Sequence, residues 1–146
     1  MIAWIFLSAA LCSQAWGLKY TDCGSKTGKV LDVQMTGCEE SDVCELKRGE
    51  TYTYTILFES LTDSESVRTV VHGTVNGISM PYPVPNPDAC ESGNLDCPLE
   101  TGKQYSYLRE VEIRNTYPSM KADVKYELRD AKKENLVCVA FPVKIV

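Results

Sequence analysis

The sequence predicts an all-β domain built as an antiparallel two-sheet sandwich, and three observations carry that prediction. Apolar and polar residues alternate with a period of two in several segments. Clusters of Gly, Asp, Ser and Pro punctuate those segments. No stretch shows the period of a helix.

In chain order the predicted strands are Lys29–Met35, Thr51–Phe58, Val67–Val75, Gln104–Ile113, Met120–Leu128 and Leu136–Val146. The clearest is Met120–Leu128, where Met120, Ala122, Val124, Tyr126 and Leu128 face one way and Lys121, Asp123, Lys125 and Glu127 the other. Strict alternation of this kind marks a half-buried strand. In Thr51–Phe58, Tyr52, Tyr54, Ile56 and Phe58 share a face opposite three threonines. Six or seven strands, with no repeat and no low-complexity linker, fit one domain with enough chain to bury a core.

The first seventeen residues, MIAWIFLSAALCSQAWG, carry no acidic or basic side chain and end in Ala15-Trp16-Gly17. This is the pattern of a secretory signal peptide, and the apolar run is short for a membrane anchor. The expected organisation is a signal peptide over 1–17 and one domain over 18–146. Cleavage removes Cys12 and both tryptophans, leaving Cys23, Cys38, Cys44, Cys90, Cys97 and Cys138. An even six in a secreted domain implies disulfides. Cys38 and Cys44 enclose five residues and Cys90 and Cys97 enclose six, spacings suited to local loop clips. Spacing alone leaves the remaining pairings open. Zinc is disfavoured by a lone histidine and the lack of any Cys-x-x-Cys.

The formal net charge of −5, without a basic cluster, argues against nucleic acid and against electrostatic docking on anionic membranes. Nucleophilic catalysis of the serine type needs a histidine, and His72 lies inside a predicted strand, where a sheet-face role suits it better. The acids are scattered through turns and polar strand faces rather than paired for glycoside chemistry. No glycine loop is present to cradle a phosphate. The sequence therefore points away from an enzyme, and neither a catalytic residue nor a cofactor is expected.

One segment is unusual. MPYPVPNPDAC, Met80–Cys90, places Pro81, Pro83, Pro85 and Pro87 at every second position. Each proline sets its own φ, removes a donor and pushes its predecessor toward extended backbone. The result is a stiff ribbon that cannot be a central strand.

This ribbon, together with YTDCGSKTGKV, CELKRGETYTY, VVHGTVNGISM, ESGNLDCPLETGKQYSYL, the YPS around Tyr117 and the terminal CVAFPVKIV, resembles the ML (MD-two-related lipid-recognition) domain family. Within that family it looks like the secreted sterol carriers of the Niemann–Pick type C branch. The likeness runs through nearly the whole chain after residue 17. It implies an immunoglobulin-like sandwich with an apolar pocket between the sheets, and pairing of Cys23 with Cys138, Cys38 with Cys44 and Cys90 with Cys97. It also implies that an aromatic in the proline run, an aliphatic in the next strand and a tyrosine before Pro-Ser line the pocket. Those positions are Tyr82, Ile113 and Tyr117 here. Val84 and Val111 are added by sequence proximity.

The ribbon would then hold Tyr82 and Val84 beside an apolar ligand while offering few backbone N–H groups to leave unsatisfied. Two features depart from the sterol carriers. Tyr82 stands in place of a phenylalanine, and Val139 in place of a bulky aromatic. No Asn-x-Ser/Thr sequon is present, which disfavours lysosomal delivery through N-glycans and favours an extracellular fluid. The expected function is a secreted, monomeric, non-enzymatic carrier of one apolar ligand, a sterol or fatty acid, with membranes, a membrane sterol transporter or a receptor as recipient. Alternatives are a carrier of fatty acids or other semiochemicals, a receptor-associated lipid sensor, and an adhesion module with a filled core.

Overall fold

A computed structural model describes residues 18–38 and 42–146, so the expected signal peptide lies outside the described residues. The elements are β1 (Thr21–Asp22), β2 (Gly28–Met35), β3 (Cys44–Leu46), β4 (Thr51–Ser60), β5 (Arg68–Val75), β6 (Ile78–Tyr82), α1 (Ala89–Ser92), β7 (Gln104–Glu112), β8 (Met120–Arg129) and β9 (Asn135–Ile145). They form a sandwich of a six-stranded sheet, ordered β1-β9-β8-β5-β6 with β3 also on β9, and a three-stranded sheet, β2-β4-β7.

All six predicted strands are present, with ends displaced by no more than two residues. The structure adds β1 and β3, which are too short for an alternation to register, and β6, which begins before the proline ribbon and runs into it. It also adds the single turn of helix α1, whose cap Asp88 accepts from the Cys90 N–H at 3.0 Å. Pairing is antiparallel except between β3 and β9, which run parallel over Cys44–Leu46.

The three disulfides are Cys23–Cys138, Cys38–Cys44 and Cys90–Cys97. The first ties β1's end to β9 across a sequence separation of 115. On the chain-entropy model so long a loop restrains the unfolded chain by ~4–5 kcal/mol.

The alternation in β4 buries Tyr52, Tyr54, Ile56 and Phe58 against the opposite sheet. Along β7 and β8 the burial is uneven. Tyr105 and Tyr107 of β7 are buried while Arg109 and Val111 are only partly so. In β8, Met120, Ala122 and Val124 are half-buried, whereas Tyr126 and Leu128 are buried. One end of the sandwich is thus packed solid by Ile56, Phe58, Leu99, Tyr107, Leu128 and Leu136. The other end is not.

The outer face of β8 carries the fold's main buried charge. Glu127 is only 2% exposed, with its carboxylate 3.0 Å from Lys125 Nζ and 2.7 Å from Arg129 Nη2. Burial pushes this carboxyl up, but the hydrogen bonds and charges of Lys125 and Arg129 outweigh it and hold it below the usual value. A depressed pKa stabilises the fold above the unfolded-state value of the group, and that contribution is lost as pH falls through the folded-state value. Glu127→Gln is expected to cost about 1–3 kcal/mol at pH 7. The gap between parent and variant should persist down to the ordinary glutamate value of ~4.3 and narrow only as pH falls below it, as followed by urea unfolding at several pH values.

Candidate functional site

The loosely filled end of the sandwich holds a cavity of about 580 Å³, within the ~300–1,000 Å³ typical of small-molecule sites. It lies between the first half of β8 and the last part of β9 on one side and the start of β4 and end of β7 on the other. Val124, Phe141, Val143 and Ile145 line the former side, Tyr54, Val111 and Ile113 the latter. Its surface is mainly apolar, which is the chemistry that receives a lipid or sterol rather than a sugar or nucleotide.

Its inner boundary is a layer of aromatic rings bridging the two sheets. Tyr54 of β4 lies 4.7 Å from Tyr126 of β8 and 5.8 Å from Phe141 of β9, centroid to centroid. Tyr107 of β7 meets Tyr126 edge-on at 5.9 Å. Such pairs add ~0.5–1.5 kcal/mol each beyond area burial. The hydroxyls of Tyr107 and Tyr126 are 2.7 Å apart, and Thr69 Oγ1 lies 3.0 Å from the Tyr107 hydroxyl. Burial pushes the Tyr54 and Tyr126 phenols well above the ordinary tyrosine value, so both stay neutral.

The proline ribbon forms the wall beside β5. In β6, Met80 pairs with Gly73, Tyr82 with Val71 and Pro81 with His72, and all six border the cavity. Pro81 is tolerated because β6 is an edge strand. Beyond Tyr82 the ribbon leaves the sheet. It returns where the Thr69 N–H donates to Pro87 O at 2.8 Å, having spent five residue steps against two in β5. The excess arches toward β7.

Arg109 catches this arch. Its guanidinium donates to Pro85 O, to Asn86 O at 3.1 Å and to Ser92 Oγ at 3.2 Å. Arg109 belongs to the inward register of Tyr105, Tyr107 and Val111, so its stem lines the cavity while its head closes the gap between the sheets. The far end of the ribbon is fixed by α1 and the Cys90–Cys97 bridge. A Cβ on Gly93 would come within 2.6 Å of the Tyr107 ring, so only glycine permits this seating.

At the mouth, Tyr82 and Tyr117 meet edge to face at 6.3 Å with their hydroxyls 2.6 Å apart. Burial and the bond to Tyr117 push the Tyr82 phenol up to about 12. The Tyr82 hydroxyl thus has its hydrogen-bond partner within the protein.

All five residues singled out from the sequence, Tyr82, Val84, Val111, Ile113 and Tyr117, lie around this one cavity. His72 sits on β5, and among the described residues no His/Cys/Asp/Glu group could hold a metal. Sequence reasoning missed Arg109, Gly73 and the Tyr54–Tyr126 boundary. The signal for Arg109 was present as a cation at a place in the β7 alternation otherwise given to Tyr and Val. Gly73 carried none, because its importance is the absence of a side chain beside the cavity.

The ML domain family model matches residues 17–145. The chain is 42% identical over 141 residues to the mouse NPC intracellular cholesterol transporter 2, covering 97% of this chain and 93% of the relative. It is equally 42% identical over 142 residues to the Drosophila melanogaster homolog a of that transporter, covering 97% and 96%. The crystal structure of a Niemann-Pick type C2 protein from Japanese carpenter ant superimposes with a TM-score of 0.84 at 25% identity, covering 88% of this chain and all of that one. The cavity-bearing sandwich, its three disulfides and these likenesses agree along almost the full described length, and the chain belongs to the ML-domain family.

Proposed function

We propose that this protein is a non-enzymatic carrier that shelters one apolar molecule, a sterol or a fatty acid, between its sheets and hands it on to a membrane or a receptor. The observation that carries the reading is the 580 Å³ apolar cavity set in a sandwich whose other end is fully packed. Transfer of a ligand into it gains roughly 25 cal/mol per Å² of apolar surface, before the costs of association. A wall of prolines anchored by Arg109 is already ordered, which keeps those costs low. The relatives bearing the name cholesterol transporter support the same reading.

Three disulfides suit an oxidising compartment, and among the described residues no helix is long and apolar enough to cross a membrane. With no glycosylation sequon in the chain, an extracellular fluid is the compartment we assign.

Competitive displacement of a fluorescent sterol and a fluorescent fatty acid from residues 18–146 tests the reading directly. Preference for sterol supports sterol transfer. Preference for the fatty acid supports an extracellular fatty-acid carrier. Binding of neither sinks the carrier reading.

Two variants localise the site. A Cβ on Gly73 meets no atom within 4 Å and faces the cavity. Gly73→Leu should therefore fold as stably as the parent, yet occupy ligand space and weaken probe binding at least about tenfold. Unchanged affinity would move the ligand elsewhere. Arg109→Gln should free the arch, and stopped-flow measurement should show ligand release faster by roughly tenfold, consistent with loss of charge-assisted bonds. Tyr82→Ala should also bind the probe more weakly, and equal affinity would remove Tyr82 from the wall.

A further inference from the structure

The sandwich is shut along one side and open along the other. Where β2 meets β9 it is shut. The Lys26 and Thr27 N–H groups donate to Asn135 O at 2.8 and 2.9 Å, and a Cβ on Gly28 would come within 2.3 Å of Leu136 O. The open side lies between β7 and β6 with its ribbon, β6 and β7 each being the last strand of its sheet. Two closures span it. Arg109 holds Pro85, Asn86 and Ser92, and beside it the Leu108 N–H donates to Gly93 O at 3.1 Å. At the mouth the Tyr82 and Tyr117 hydroxyls lie 2.6 Å apart. Val84 on the ribbon, and Val111 and Ile113 on the way from Arg109 to Tyr117, fall between the two closures and line the cavity.

The backbone is held on both sides of the mouth. Tyr82 pairs with Val71 and stands between Pro81 and Pro83. In the connection from β7 to β8, the Tyr117 N–H donates to Arg114 O at 3.1 Å and its carbonyl accepts from Arg48 Nη1 at 3.4 Å. Ser119 Oγ donates to Ile145 O at 3.0 Å a little further on. What can move is the two rings. They meet edge to face, and Tyr82 is 38% exposed, so solvent lies where a ring would swing once the bond between the hydroxyls is broken. A phenylalanine at either position would keep the ring and lose the bond.

We infer that the Tyr82–Tyr117 hydroxyl pair is the latch of the cavity: the ligand enters and leaves between β6 and β7 when this bond breaks and the rings swing apart. The inference rests on the carrier reading and deepens it by naming the exit and the bond that times release. A bond between neutral hydroxyls has a modest net worth, and its loss multiplies the open fraction by about three- to tenfold. A latch acts on both directions of exchange. A hydroxyl that only held the ligand would change dissociation and leave association nearly as it was. Because the two hydroxyls make one bond, removing either removes all of it.

The test follows uptake of the fluorescent probe N-phenyl-1-naphthylamine by stopped flow at several probe concentrations. The slope of the observed rate gives association and its intercept dissociation, for the parent, Tyr82→Phe, Tyr117→Phe and the double variant. Each single variant is expected to raise both rates by about three- to tenfold, and the double variant to lie within about twofold of the singles. Unchanged rates in either single variant overturn the inference. So does faster dissociation with unchanged association, and so do single effects that multiply in the double variant; in these cases the carrier reading stands. A parent that takes up no probe removes the carrier reading itself, and the latch with it.

Discussion

Two β-sheets packed face to face normally lie ~10 Å apart and fill the space between them with their own side chains. A sandwich that keeps a cavity must hold its sheets apart at one end without letting the other end loosen. The aromatic layer of Tyr54, Tyr107, Tyr126 and Phe141 meets that requirement. Its rings are wide enough to bridge the sheets, and the bonds between the Tyr107, Tyr126 and Thr69 hydroxyls restrict how they can settle. On one side of the layer the core is dense. On the other, Met120, Ala122 and Val124 remain half-buried and line the cavity.

The second requirement is a wall that does not collapse into the space so created. The proline ribbon supplies it by being attached at both ends and arched between them. Pairing with β5 fixes Met80 and Tyr82, and Asp88, the Cys90–Cys97 bridge and Gly93 seat α1 on Tyr107. Arg109 draws the arch toward the opposite sheet from a position that would ordinarily be apolar. Cavity and wall thus share the strand β7, whose Tyr107 supports the filled end and whose Arg109 and Val111 face the open one.

Much of this was legible in the sequence where periodicity is strong. The alternations of Thr51–Phe58 and Met120–Leu128 announced strands and grouped Tyr54 and Tyr126 on buried faces, but Glu127, on the polar side of the second, is buried as well. The proline run announced an extended, non-central segment, and the five residues taken from it and from the family resemblance surround one cavity. What could not be read depends on partners distant in sequence. The bulge that shifts the register between Val30 and Asp32 breaks β2's parity, so a simple alternation there misassigns faces. The two- and three-residue strands β1 and β3 exist only because β9 offers them an edge. Nor does any local pattern tell that the buried Tyr54 hydroxyl has no partner among the described residues.

The ribbon has an effect on the molecule's outside as well. Strand β6 ends its sheet, and Ile78 and Met80 stand 64% and 54% exposed along it. An apolar edge strand is a template for the strand of another molecule, the first step of edge-to-edge aggregation. Pro81 removes one donor from that edge, and Pro83, Pro85 and Pro87 deny it any continuation. A foreign strand would find only the few backbone groups of Ile78–Met80 to pair with before the register ran out. The residues that shape the interior for a guest also keep the protein's own apolar border from recruiting its neighbours.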